Sequence, residues 1–234
     1  MPNSPLKQVV YLQLPTHTLK HHMQEVDEMT TQAQNTVLLE GIPLAAPELS
    51  HKTHDTCFYR FTLEIPRLSG QRDQIPILLP ESLLPQIIPG TALRIQGQMR
   101  SFNNRSGMGS RLVLTVYALE LLPPQGEPCN EIFLSGALCK TPVFRRTPLG
   151  RSICDLMLAV TRRYGRSDYL PVIAWGQLAT LCSKYNVGDA ICLEGRIQSR
   201  TYRKVLDDHT EIRTAYEVSM LRLLSPEDSP RFPE

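Results

Sequence analysis

The chain has 234 residues, which is enough for two small domains with a modest core each. A hydrophobic content of 41% and a charged content of 21% are ordinary for globular proteins and exclude wholesale disorder. The net charge of +2 is unevenly divided: residues 130–224 hold 14 Lys and Arg against 9 Asp and Glu, which favours an anionic partner for this half.

Residues 1–34 form an N-terminal extension whose structure the sequence leaves open. KQVVYLQL is compatible with a strand, and LKHHMQEVDEM with a weakly amphipathic helix. An accessory edge strand, a dimer arm and a mobile leader therefore all stay open as interpretations.

Residues 35–122 read as five strands with one helix. Apolar residues alternate in TVLLEG, YRFTLEIPR, QIPILLPESL, ALRIQGQMR and RLVLTVYALEL, while PESLLPQI predicts a helix between the third and fourth strands. Five short strands with a helix at this place are the pattern of an OB-fold, a small Greek-key barrel. Residues 123–129, rich in Pro and Gly, follow as a linker.

Residues 130–224 repeat the pattern. Their predicted strands are EIFLSG, CDLMLAVTR, PVIAWG, AICLEGRIQSR and AYEVSMLRLL, with a helix in GQLATLCSKYN. The polar, Pro-rich tail 225–234 is predicted to be disordered.

Glycines mark the repeat. Gly41 corresponds to Gly136 at an offset of 95 residues, and Gly97 to Gly195 at an offset of 98. A tandem duplication with a three-residue insertion explains both offsets. We therefore predict an all-β protein made of two tandem OB-fold barrels, each with one short helix.

The second copy resembles the bacterial single-stranded DNA-binding proteins. The resemblance lies in NEIFLSGAL, the hairpin RRTPLGRSI, LMLAVTRRY, VIAWGQLATLCSKYNVGD and ICLEGRIQSRTY, in this order, whereas the first copy shares only glycines and apolar positions. It implies non-sequence-specific binding of single-stranded DNA in replication, repair or recombination. Since family members assemble four OB-folds, a chain with two is expected to form a homodimer, with replication or repair proteins as further possible partners.

The candidate binding residues are aromatic and basic, as stacking on bases and contact with phosphates require. The aromatic positions that align with the base-stacking residues of the family are Tyr164, Tyr169, Trp175 and Tyr202. The basic residues expected to contact phosphates are Arg145, Arg146, Arg151, Arg162, Arg163, Arg196, Arg200, Arg203 and Lys204. Alternation along the fourth strand predicts that Arg196, Gln198 and Arg200 share one face, opposite Gly195 and Ile197. Trp175 follows the apolar run PVIA, so a place in the core is its alternative interpretation.

The first copy is predicted to be a degenerate barrel with a structural or assembly role. It has Gln74 where the second copy has Tyr169, and Pro80 where the second has Trp175. Phe102, with Arg100, Arg105 and Arg111 nearby, is the part of it that could still touch a DNA strand.

The alternative function is that of a protein-interaction scaffold similar to primosomal accessory proteins, with weak DNA contact. The tail PEDSPRFPE resembles an altered form of the acidic tip with which the family recruits partners. An enzyme is not expected, because the sequence shows no phosphate-binding glycine loop, no metal-ligand cluster and no nucleophile with a base. We likewise expect no cofactor, and a cytoplasmic protein with reduced, buried thiols, since we find no cationic leader, no apolar run of membrane-spanning length and no C-x-x-C pair.

Overall fold

The computed structural model describes residues 35–104, 110–162, 165–205 and 210–225. The predictions for the N-terminal extension and for the tail beyond residue 225 lie outside these ranges, as do those for Arg105, Arg163 and Tyr164.

The first copy contains all five predicted strands. Its elements are β1 (Asn35–Pro43), β2 (Glu48–Thr53), β3 (Thr56–Pro66), β4 (Arg72–Pro80), a 3₁₀ helix (Glu81–Gln86), β5 (Leu93–Asn103) and β6 (Leu112–Leu122). Strand β2 is an addition that the sequence does not predict, because ELSHKT is polar and exposed throughout and no alternation marks it. The helix is of the tighter 3₁₀ type and contains Pro85, which has no N–H to donate.

The second copy has the same order. Its elements are β7 (Cys129–Leu138), β8 (Val143–Arg146), β9 (Ser152–Thr161), β10 (Ser167–Trp175), an α-helix (Gln177–Cys182), β11 (Ala190–Val205) and β12 (Thr210–Leu224). The helix is shorter than predicted, ending before SKYN. Neither helix in the described ranges is long and apolar enough to cross a membrane.

Each copy closes into a five-stranded barrel. In the first, β1 pairs antiparallel with both β3 and β5, and β4 runs parallel to β6. In the second, β7 pairs with β9 and β11, and β10 runs parallel to β12. This strand order, with one parallel pair, confirms the two tandem OB-folds. The extra strands β2 and β8 extend the barrels by pairing with β3 and β9.

A direct strand pairing joins the two barrels. β1 lies antiparallel to β7, from Asn35 opposite Leu134 to Glu40 opposite Cys129. The sheet therefore continues through both barrels, and the pairing satisfies backbone groups that would otherwise form two open edges.

A buried carboxylate anchors the connection between the barrels. Glu40 accepts hydrogen bonds from the backbone N–H groups of Gln125 (2.9 Å) and Gly126 (2.7 Å) and from the Arg94 guanidinium (3.1 Å). Burial alone would raise the pKa of Glu40, but these donors hold its pKa below the ordinary value. The predicted linker is thereby fastened to the first barrel.

The thiols are less buried than predicted. Of the six cysteines, all within the described ranges, only Cys154 and Cys182 are buried, while the other four are half-buried. Cys57, Cys129 and Cys192 lie on strands of alternating exposure, and Cys139 directly follows β7.

The landmark glycines lie where strands of one barrel approach most closely. A Cβ on Gly136 would lie 2.6 Å from the carbonyl oxygen of Ala159, and one on Gly195 would lie 2.6 Å from that of Ser219. Gly41 and Gly97 face the same obstruction in the first barrel. A side chain at these positions would push apart two strands whose pairing closes the barrel.

We therefore expect Gly136→Ala to lower the free energy of unfolding by about 1–3 kcal/mol, the usual cost of overpacking a close contact. Denaturant unfolding followed by circular dichroism measures it. Ser135→Ala, at the neighbouring half-buried position of β7, is the control and should change stability by less than about 0.5 kcal/mol. Equal midpoints for Gly136→Ala and the unmodified chain would contradict the closure argument.

Candidate nucleic-acid interface

The outward face of β8, β9 and β10 brings together an arginine and the tryptophan. Arg145 on β8 and Trp175 on β10 both lie opposite Ile153 of β9 in register, so the three side chains share one face of the sheet, on which Ile153 itself is buried. Trp175 is 38% exposed and stands at the end of its strand, whereas its neighbour Ala174 is fully buried. The tryptophan is thus a surface residue and not part of the core.

Tyr169 stands on the same face of β10. The alternate residues Asp168, Leu170, Val172 and Ala174 are all buried, so Tyr169 and Trp175 both point outward. Tyr169 is 49% exposed. Six residues at about 3.3 Å each separate the two rings by roughly 20 Å along the strand.

The predicted hairpin carries Arg145 and Arg151 at one end of this face, whereas Arg146, which pairs with Ser152, has the opposite orientation. The turn is closed by the Thr147 N–H donating to the Arg151 carbonyl (2.9 Å) and by Gly150 at positive φ, which glycine adopts without strain. Arg145 pairs with Asp155 (2.6 Å), and both side chains are about half exposed. Arg146 and Arg151 are exposed and make no ion pair with any described residue.

Arg162, predicted to contact phosphate, instead holds a buried carboxylate. Its Nε donates to Asp168 Oδ2 (2.6 Å) and its Nη2 to Asp168 Oδ1. Asp168 also accepts from the backbone N–H of Ser101 (2.6 Å) and from Arg100 Nη1 (3.2 Å), both in the first barrel. Burial would raise the pKa of Asp168, but Arg162, the Ser101 N–H and Arg100 hold its pKa below the ordinary value.

An equivalent arrangement occurs around Asp73. We call each buried aspartate, together with its arginine and the serine of the other barrel, a carboxylate bracket. Asp73 of the first barrel is held by Arg67 and accepts from the backbone N–H of Ser199 in the second barrel (2.8 Å). Ser199 Oγ in turn accepts from the N–H of Gln74 (3.2 Å), as Ser101 Oγ does from the N–H of Tyr169 (2.8 Å). Each barrel therefore sends its β5–β6 or β11–β12 hairpin across to the other.

This crossing separates the predicted residues of β11 from those of β8–β10. Arg200 and Tyr202 follow Ser199 on an arm that lies against β4 of the first barrel, with Arg200 Cζ 5.8 Å from the centre of the Tyr202 ring. Arg203 and Lys204 are exposed further along the arm. They form a second basic patch, apart from Trp175.

Arg196 lies on neither surface. It is half-buried and lines a cavity of about 220 Å³ with Arg67, Asp73 and Asn130, and its Nε is buried without a hydrogen-bond partner among the described residues. Gln198, expected on the same face as Arg196, is buried and donates to Glu217 (2.7 Å). The first barrel covers this side of the strand, and a phosphate contact by Arg196 stays a prediction.

The sequence reasoning missed Asp73, Asp168, Ser101 and Ser199. An acidic residue inside an apolar strand, as in SDYLPVIAW and RDQIPILLP, was the available signal, since a carboxylate with buried neighbours needs a partner.

The second copy is similar in sequence to a known protein family. The model of the single-strand binding protein family matches residues 129–223. The single-stranded DNA-binding protein 2 of Streptococcus agalactiae serotype V is 32% identical over 102 residues, which cover 41% of this chain and 76% of that protein. The chain belongs to the single-strand binding protein family.

Sequence and fold comparisons with the Thermus aquaticus protein differ in how much of this chain they cover. The single-stranded DNA-binding protein of Thermus aquaticus is 34% identical over 106 residues, or 43% of this chain and 39% of that protein. The crystal structure of the wild-type protein from Thermus aquaticus covers 87% of this chain and 97% of its own, with a TM-score of 0.66 and 23% identity. The fold match thus extends over much more of the chain than the sequence match does.

We expect Asp168→Asn to lower the free energy of unfolding at neutral pH by about 3–5 kcal/mol, because it leaves two guanidiniums without their buried counter-charge. The folded-state pKa of Asp168 is depressed, so its contribution is present above its unfolded pKa of about 3.9 and is lost as pH falls through the folded-state pKa. The difference between the two proteins should therefore shrink below about pH 4. Urea unfolding at several pH values measures both effects.

Asp155→Asn is the matched control. Asp155 also pairs with an arginine but is 42% exposed at its side chain. Its substitution should cost no more than about 1 kcal/mol. Equal losses for the two variants would contradict a special role for the buried bracket.

Proposed function

We propose that this protein binds single-stranded DNA without reading its sequence, through the outward face of β8–β10, in replication, repair or recombination. Bases stack on Trp175 and Tyr169, and the hairpin residues Arg145 and Arg151 neutralise phosphates. The observation that carries this proposal is the exposure of Trp175 in register with Arg145.

The chemistry of a single strand calls for this combination. Unstacked bases offer π-faces that aromatic side chains can cover, and each stacked base contributes about 1–3 kcal/mol, a general figure that comes in part from single-strand binding proteins themselves. Phosphates attract arginine whatever the base, which gives affinity without sequence readout. A tyrosine has less stacking area than a tryptophan, so Trp175 is expected to contribute more than Tyr169.

The relatives support the choice of ligand. The matching proteins from Streptococcus agalactiae and Thermus aquaticus are both named as single-stranded DNA-binding proteins. The second basic patch, with Arg200, Arg203 and Lys204, offers the strand a further contact on the side of the first barrel. Arg163 and Tyr164 stay predictions of the sequence for the same role.

Titration with a long oligo-dT should quench the fluorescence of Trp175, the single tryptophan of the chain, and raising the salt concentration should weaken binding. Trp175→Ala, measured by anisotropy of labelled DNA, should weaken binding by about 5- to 160-fold, as loss of one stacked base predicts. Replacing Arg151 by Ala should lower the slope of log affinity against log salt by about 0.7, the value for one contact with a single strand.

Phe144→Ala is the control for the tryptophan. Phe144 is 41% exposed on β8 but pairs with the buried Cys154, so it belongs to the opposite face of the sheet. Its substitution should leave affinity within about twofold. Absence of binding at low salt would overturn the proposal and favour the alternative, an interaction scaffold with weak DNA contact.

We further propose that two chains associate into a homodimer, which brings four barrels together. The strand pairing within one chain already joins two barrels, so two chains supply the number that family members assemble. Light scattering coupled to size-exclusion chromatography should give twice the mass of one chain at micromolar concentration. A mass of one chain that persists when DNA is added would contradict this assembly.

A further inference from the structure

Phe102 of the first barrel is an exposed aromatic residue that lies outside the hydrophobic core. It lies near the end of β5, 43% exposed, with the Arg162 guanidinium of the second barrel on one side, 5.6 Å from the ring centre. A cation over one face fixes the ring and leaves the rest of its surface open.

The ring stands beside the binding face of the other barrel. The preceding residue, Ser101, docks onto β10 by accepting from the Tyr169 N–H (2.8 Å) and by donating its own N–H to Asp168 (2.6 Å). Phe102, the next residue along β5, is thereby anchored at the junction with β10, where Tyr169 is 49% exposed. Two exposed rings from different barrels thus border one bracket.

The charge at this junction favours an anion. Arg100 and Arg162 both bind the Asp168 carboxylate, so two positive groups face one negative group. One positive charge beyond that of Asp168 therefore remains at this junction, with the Arg162 guanidinium against the Phe102 ring, and it would attract the phosphates of a strand stacked there.

We propose that Phe102 stacks a DNA base and carries the strand from the second barrel onto the β5–β6 hairpin of the first. This inference rests on the proposed function, since it extends the same binding face. The first copy thereby contributes a nucleic-acid contact in addition to any role in assembly.

The equivalent junction, at Asp73 and Ser199, lacks two such rings. At the corresponding position of the second copy stands Arg200, and where Tyr169 stands the first copy has Gln74. Neither position holds a ring. A DNA strand that passes from one barrel to the other is therefore expected to cross at the Phe102 junction and not at the Asp73 junction.

The test compares Phe102→Ala with the unmodified chain on labelled oligo-dT of two lengths. An oligomer of about 40 nucleotides spans more than one barrel, whereas one of about 8 fits within the roughly 4–16 nucleotides that a single OB-fold covers. The variant should bind the long oligomer about 5- to 160-fold more weakly, as loss of one stacked base predicts, and the short one within about twofold of the unmodified chain.

Two further variants separate stacking from apolar contact. Phe102→Trp should retain binding of the long oligomer, and Phe102→Leu should behave like Phe102→Ala. Val113→Ala is the matched control, because Val113 pairs with Phe102 on the same hairpin and is 41% exposed but has no ring. It should leave affinity unchanged.

The outcomes distinguish the two proposals. If the unmodified chain fails to bind either oligomer, the proposed function is wrong. If the unmodified chain binds and Phe102→Ala equals it on the long oligomer, only the stacking role of Phe102 is wrong. Equal weakening on both lengths, or a lowered unfolding midpoint that accounts for the loss, would also overturn that role, since Phe102 would then act by holding Arg162 in place.

Discussion

The structure depends on two buried carboxylates that each bind the backbone of the other barrel. Asp73 and Asp168 lie on equivalent strands, are held by an arginine of their own barrel, and accept the N–H of Ser199 or Ser101 from across the junction. An unpaired carboxylate in such a place would be costly, so the opposite hairpin has to be present for the bracket to be satisfied. Each barrel is completed by a segment of its neighbour, and the candidate binding faces are therefore shared between barrels.

The two copies keep the same frame and differ in what they display on it. Both halves contain the glycines that allow barrel closure and the carboxylate brackets. In both, an asparagine of the first strand donates to a backbone carbonyl: Asn35 to Met99 on β5, and Asn130 to Ile197 on β11. The outward positions differ: Tyr169 and Trp175 in one copy correspond to Gln74 and Pro80 in the other. Buried positions with strict geometric demands have stayed alike after duplication, while exposed positions have been free to acquire separate chemistry.

Local sequence patterns were sufficient for the barrels and insufficient for the junction. Alternating apolar residues predict strands, and the positions of Gly41, Gly97, Gly136 and Gly195 predict the repeat, because both depend on neighbours along the chain or within one barrel. The exposed strands β2 and β8 carry no such pattern. The contacts of Arg162 and Arg196 with the other barrel could not be predicted either, because nothing within a single copy marks them. The exposure of Trp175 likewise depends on where its strand ends, which the run PVIAW leaves undecided.

The antiparallel pairing of β1 with β7 has a further consequence for how the halves could diverge. When two barrels belong to separate identical chains, every substitution appears in both of them. Their association also depends on the protein concentration. Here the partners are tethered, so each meets the other at a high effective concentration set by the connecting segment. A substitution in one half is never duplicated in its mate. Covalent linkage thus relieves the identity constraint of a symmetric dimer and lets one barrel specialise while the other keeps the pair together.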